Sequence, residues 1–333
     1  MTVLDLGPTA DLPSEATRFI RATFGAAAIE EISALPGGRS GARVFSVRVA
    51  GRSYVLRVPS PDRDSHEQRS EREITGMKLA AERGIGPELC HAERTTGITL
   101  SAKIEGMLTG AERARAPGRC ERLAATVRAV HEGPRLPEGA GLAELMDYFD
   151  GVLRARGAGG IPASLASVLR EAGEASGRFG ARAPCHNDLN PSNVLETAER
   201  AYLVDWETAG QGDPFVDLAQ LGVFSLFAPG ARAELLARYL GRAPTPSEQA
   251  HAVLARVTAL GCYAVSFITA AVIGGAVVPT ETMASRPIFE VVLELAQGRA
   301  SALDVAASLL RATLEEAASE AFRAARREAP DRA

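Results

Sequence analysis

The run Cys185-His186-Asn187-Asp188-Leu189-Asn190-Pro191-Ser192-Asn193-Val194-Leu195 is followed, after a polar stretch, by Leu203-Val204-Asp205-Trp206-Glu207. Two short apolar runs, 194–195 and 201–204, flank the polar residues 196–200, a pattern that reads as a β-hairpin. A hairpin returns the chain to its starting point, so Asn193 and Asp205 can converge on one hard cation through oxygen ligands. Asp188 stands five residues before Asn193, a spacing that places a base and a metal ligand in one loop. Singly, each has a plainer reading: Asp188 as a turn residue, Asn193 as a cap, Asp205 as a strand-end carboxylate. Together, with a hairpin between them, they point to a metal–nucleotide site.

The surrounding composition is that of a folded protein. Of 333 residues, 46% are apolar and 23% charged, which excludes a disordered chain, a collagenous repeat or a disulfide mini-protein. The length allows two lobes, each with its own core. A net charge of -4 argues against nucleic acid as a partner. Positive charge is nearly all arginine, with lysine only at Lys78 and Lys103. Cys90, Cys120, Cys185 and Cys262 form no C-x-x-C pair, so reduced thiols and a cytoplasmic location are expected. Residues 1–13 lack the basic-then-apolar pattern of a signal peptide. The uncharged stretch 257–278 is long enough to cross a bilayer, but its Thr, Ser and Gly-Gly content favours a buried helix, and no membrane partner is expected.

A short amphipathic helix is expected over 14–24 and three strands over 30–59, the last two a hairpin turning at Gly51-Arg52. A charged helix follows over 66–83, then short strands near 88–92 and 97–102. Beyond residue 109 the pattern is helical, with helices expected over 112–131, 141–156, 162–179 and 301–327. The island 185–213 interrupts them. Asp213-Pro214 reads as a helix N-cap with proline in the first turn, and Asp217, taken by itself, as a surface carboxylate.

The composite H-x-D-x-x-x-x-N, hydrophobic-D-W-E and G-x-G-D-P-x-x-D-L-A, spread over 185–219, resembles the kinase-like phosphotransferase family that includes aminoglycoside phosphotransferases and choline/ethanolamine kinases, the bacterial choline-kinase-like members most of all. The resemblance implies an α+β, two-lobed protein-kinase-like fold. A small antiparallel-sheet lobe with one inserted helix (1–103) would bind nucleotide. A larger helical lobe (104–333) would carry the catalytic loop (185–195) and the metal-binding hairpin (193–207). Carried over, Asp188 is the catalytic base, Asn190 a polar group toward the transferring phosphate, and Asp217 a brace of the loop, while His186 reads as a buttress of the loop rather than a carrier of protons. Asn193 and Asp205 are the magnesium ligands.

The first lobe must then supply a cation on its third strand and a glutamate on its helix. No lysine precedes Lys78, so the cation is Arg57, and Glu73 is preferred to Glu71 because Glu73, Met77 and Ala80 share one helix face. Gly37, Gly38 and Gly41 would let backbone N–H groups approach the phosphates of ATP, with Ser40 as an extra donor. Backbone groups near Ala102 and Ile104 would meet the adenine. The implied activity is ATP- and magnesium-dependent transfer of a γ-phosphoryl group to a small-molecule hydroxyl, an amino alcohol or an amino sugar. A nucleotide-binding pseudokinase is the alternative, though its usual mark is loss of a residue corresponding to Asp188, Asn193 or Asp205. A protein kinase is weaker, since neither A-P-E nor a long segment between Asp205 and Asp213 is present. For the acceptor, aromatic faces at Tyr263 and Phe267 and acidic residues at Glu144, Asp147 and Asp150 are the candidates. A Cys185–His186 dyad is disfavoured, because adjacent residues rarely form one.

Overall fold

Helix α1 (Ser14–Phe24) turns Ala16, Phe19 and Ile20 inward, the i, i+3, i+4 stripe that an amphipathic helix buries. They meet a sheet whose strands alternate with period two. Strands β1 (Ile29–Leu35), β2 (Arg43–Val49) and β3 (Arg52–Val58) bury Phe45, Val47 and Val49 together with Tyr54, Leu56 and Val58, Phe45 facing Leu56 and Val47 facing Tyr54. Ala50 and Gly51 join β2 to β3, both at positive φ (49° and 73°), the conformation a two-residue hairpin turn demands. Helix α2 (His66–Glu82) leads to β4 (Leu89–Glu93) and β5 (Ile98–Ala102). The five strands form one antiparallel sheet in the order β1-β2-β3-β5-β4, with α2 inserted between β3 and β4. The computed structural model describes residues 12–25, 29–35, 41–60, 66–225 and 229–331.

Helices follow. The single helix expected over 112–131 is two, α3 (Gly110–Arg115) and α4 (Arg119–His131), because Pro117 and the left-handed Gly118 (φ 65°) cannot continue a helix. Helices α5 (Leu142–Ala155) and α6 (Ala163–Gly177) come next. Short strands then appear: β6 (Ala183–Cys185), β7 (Val194–Glu196), β8 (Ala201–Leu203) and, after the 3₁₀ turn Trp206–Thr208, β9 (Gly210–Gly212). β7 and β8 are the expected hairpin, whereas the pairing of β6 with β9 was not legible in runs this short. Helices α7 (Pro214–Phe224), α8 (Pro229–Leu240), α9 (Pro246–Ile273), α10 (Ile288–Ala296), α11 (Ala302–Ala317) and α12 (Glu320–Glu328) complete the chain. The helix expected over 301–327 is broken between α11 and α12, where Ser319 caps a new start by accepting the Phe322 N–H at 3.1 Å.

Two compact units interleave along the chain, 1–117 with 192–209 and 118–191 with 210–333. The β7–β8 hairpin belongs to the first, where the Leu203 N–H donates to the Ile85 carbonyl (2.7 Å) and the Leu108 N–H to that of Glu196 (2.8 Å). A lobe boundary after residue 103 is a proposal about domain organisation rather than a description of these units. The second unit is built round α9, against which α6, α7, α11 and α12 pack. The most apolar window of α9 is 72% buried, so the membrane-length apolar stretch is covered by protein.

One contact fixes the hairpin's continuation. Trp206 is wholly buried and lies so close to α2 that a Cβ on Gly76 would stand 2.5 Å from the Trp206 Cβ. Only glycine admits the indole at that point. Gly76→Ala should therefore cost about 1–3 kcal/mol, as an overpacking substitution does. A urea midpoint equal to the wild type's would show that this contact does not set the position of the turn.

Candidate active site

Helix α7 determines the geometry of the loop 186–190. Asp213 caps its N-terminus, accepting the Phe215 N–H at 2.9 Å with Pro214 in the first turn. One turn on, Asp217 is wholly buried and not a surface carboxylate. Its Oδ2 accepts the His186 N–H and its Oδ1 the Asn187 N–H, both at 2.8 Å. His131 Nε2 lies 3.1 Å from the same Oδ2, and His131 Nδ1 lies 2.8 Å from the Tyr239 hydroxyl. Three residues later, Gln220 accepts the Leu189 N–H and donates to the Asn187 carbonyl, each at 2.8 Å. Two side chains on one face of α7 thus pin the loop backbone through Asn187, which adopts the left-handed conformation (φ 66°) that asparagine tolerates.

The loop held in this way presents Asp188. Its Oδ1 accepts the Tyr263 hydroxyl of α9 at 3.1 Å and its Oδ2 the Asn190 side-chain N–H at 3.0 Å. Burial, and next the Asp188 charge, push the Tyr263 hydroxyl well above the ordinary tyrosine range, so it stays a donor. A carboxylate oxygen can accept more than one donor at a time, so a substrate hydroxyl can share it with these partners. His186 is wholly buried, in keeping with packing the loop. Burial, with the charges of Asp217 and Asp213, raises the Cys185 thiol well above its usual range, so it is no thiolate nucleophile.

In the other unit, Arg57 extends from β3 between the buried Leu56 and Val58. Its Nη1 meets Glu73 Oε2 at 2.5 Å, and its Nη2 lies 3.6 Å from both Asp205 Oδ1 and Glu207 Oε2. Glu71 turns outward and pairs with Arg94 at 3.0 Å. Asp205 adopts a left-handed conformation (φ 63°) between β8 and the 3₁₀ turn, anchored by the Trp206 indole N–H on the Leu203 carbonyl at 3.2 Å. The Val204 N–H donates to the Asn193 carbonyl at 3.0 Å, closing the hairpin at the point where Asn193 and Asp205 leave it. An amide oxygen and a carboxylate there suit a hard divalent cation.

The remaining expected residues are less engaged. Gly37, Gly38 and Ser40 lie outside the described residues. Ala102 ends β5 with its N–H already donated to the Glu88 carbonyl at 2.9 Å, and Ile104 follows it, half-buried. Of the acidic set on α5, Glu144 accepts the Gly141 N–H (3.0 Å) and Asp150 pairs with Arg154 and accepts the Ile161 N–H (2.9 Å). Three contributions escaped the sequence: Glu207 beside Arg57, Tyr263 as the partner of Asp188, and Gln220. Only Gln220 left a trace, its i+3 spacing from Asp217 on a helix.

Residues 31–254 match the model of the phosphotransferase enzyme family. A 38-residue stretch is 47% identical to protein LicA of Haemophilus influenzae, covering 11% of this chain and 14% of that protein. Among solved structures, a choline/ethanolamine kinase family protein from Mesorhizobium loti superposes with a TM-score of 0.68 at 23% identity, covering 94% of this chain and 99% of that one. The streptomycin–ATP ternary complex of APH(2″)-IIa gives a TM-score of 0.58 at 14% identity, covering 89% and 99%.

Asp217→Ala should remove two charge-assisted bonds to loop amides, destabilising the fold by about 3 kcal/mol or more. The amides of His186 and Asn187 should then exchange with solvent faster than in the wild type. Unchanged protection at both would show that the loop is held by something other than α7.

Proposed function

The chain belongs to the phosphotransferase enzyme family, and from that premise we propose that it transfers the γ-phosphoryl group of ATP to a hydroxyl of a small molecule. The observation that carries this reading is the Asp188 carboxylate, gripped at one oxygen by Tyr263 and at the other by Asn190 on a loop whose backbone is pinned by Asp217 and Gln220. A carboxylate fixed in this way can accept the acceptor's hydroxyl proton as the oxygen attacks phosphorus. Asn190, two residues further along the loop, would hold the transferring phosphate. His186 supports the loop without touching substrate.

Arg57, held by Glu73, would grip the α- and β-phosphates through its guanidinium fork. Asn193 and Asp205 would hold Mg²⁺, which when bound supplies neutralisation of phosphate charge. Gly37, Gly38 and Ser40 would cover the phosphates, and Ala102 and Ile104 would flank the adenine, with Ile104 the better hydrogen-bonding candidate because the Ala102 N–H is taken within the sheet. An ATP donor is in keeping with a cytoplasmic location.

For the acceptor, an amino alcohol is favoured over a polycationic amino sugar. Two of the three carboxylates on α5 that would receive several ammonium groups already serve a helix cap and an ion pair. A single cationic head group makes no such demand on several carboxylates, and Tyr263 is the aromatic residue whose hydroxyl meets Asp188.

ADP release from Mg-ATP, measured over choline, ethanolamine, amino sugars and aminoglycosides, tests the proposal. One acceptor should stimulate release, and Asp188→Asn should lower that turnover by about 10²- to 10⁴-fold while retaining Mg-ATP binding. Full activity in Asp188→Asn would remove the base assignment. Arg57→Gln should weaken Mg-ATP binding about tenfold or more through loss of charge-assisted bonds, and unchanged affinity would take Arg57 out of the phosphate clamp.

A further inference from the structure

Four arginines that play no part in the loop or the hairpin converge on one cavity of the helical unit. The cavity measures about 400 Å³, and Arg232, Arg256, Arg286 and Arg311 line it, with Glu315 the only carboxylate in the lining among the described residues. The volume is that of a small-molecule site. Three of these cations are also paired with carboxylates. Arg256 Nε lies 3.0 and 3.1 Å from the two oxygens of Glu316, Arg286 Nη1 2.7 Å from Glu294, and Arg311 Nη1 3.4 Å from Glu315. Arg256 Nη1, however, is buried without a hydrogen-bond acceptor among the described residues. Leaving a buried guanidinium N–H unmatched is costly, and an anionic oxygen is what would match it.

Arg232 adds a second cation at the same point. A Cβ on Gly222 would stand 2.9 Å from Arg232 Cδ and 3.9 Å from Arg256 Nη1, so the absence of a side chain on α7 lets two cationic arms approach each other. Burial first, and the neighbouring Arg256 charge second, pull the Arg232 pKa below the ordinary arginine range, opposed by Glu316. An anion placed beside both would interact favourably with each. Val223, Ile288 and Phe289 give the lining an apolar part.

We propose that this cavity is a second ligand site, taking the phosphate group of a small phosphorylated molecule or of free phosphate on its arginines, with the apolar residues of the lining against any organic part. It lies apart from Asp188. Arg256 precedes Tyr263 by two turns of α9, about 10 Å along the axis. It nonetheless adjoins the loop's support, since Gly222 is two residues beyond Gln220 on α7.

Calorimetry on the full chain in EDTA tests this, with sodium phosphate, pyrophosphate and glycerol 3-phosphate as probes. At least one probe should bind the wild type, bind about tenfold more weakly to Arg232→Gln and Arg311→Gln, and keep its affinity for Arg57→Gln. A tighter fit for glycerol 3-phosphate than for phosphate would identify an organic phosphate as the ligand, and equal affinities free phosphate. No binding by any probe, or a loss in Arg57→Gln with retention in Arg232→Gln, would overturn the proposal. If Arg232→Gln fails to fold, Arg311→Gln is sufficient on its own, because that side chain is 46% exposed and its loss leaves no buried gap.

Discussion

A carboxylate sealed from water in the first turn of α7 is the constraint on which the loop 186–190 depends. Burying the Asp217 carboxyl is tolerable because the His186 and Asn187 N–H groups and the His131 ring surround it. The same bonds work in both directions. They make the carboxylate tenable and deprive the loop of freedom, so residues 186–189 have one backbone course. Gln220 completes the clamp from the next turn, using both ends of its amide. Asp188 then needs only two side-chain contacts to fix its rotamer, because the backbone beneath it cannot shift.

The sheet unit solves a different problem by similar means. Arg57 belongs to a strand whose inward side chains are apolar, and its guanidinium is only 15% exposed. Such a cation requires carboxylates nearby, and Glu73 meets it at ion-pair distance while Asp205 and Glu207 stand further off. Those two arrive because the 3₁₀ turn is nailed to α2 by Trp206 over Gly76. The D-W-E tripeptide is therefore one device: the aromatic residue anchors, and the acids on either side of it are delivered to Arg57.

How much of this was legible depended on whether the signal was local. The hairpin, the five strands and α2 announce themselves through period-two runs and a polar turn, and all are present. The choice of Glu73 over Glu71 followed from one helix face, and Glu73 is the one that meets Arg57. Helix ends were missed where the break lay in a cap, as at Ser319, or in a Pro-Gly pair embedded in a charged stretch, as at residues 117–118. Asp217 was ambiguous because an acidic residue in a first helical turn favours the helix dipole whether buried or exposed. Tyr263 was unreadable as the partner of Asp188. The two are 75 residues apart, and only the packing of α9 brings them together.

The proposed function sets a condition on how nucleotide would meet Arg57. Glu73, Asp205 and Glu207 all approach its guanidinium, and Glu73 already holds one arm. A polyphosphate brought to this point would meet carboxylates as well as the cation, at distances of a few ångströms where salt screens little. A divalent cation carried by the phosphate chain would interact favourably with Asp205 and with the phosphates alike. On that reading the metal-bound nucleotide, rather than the free one, is the form these residues would accept.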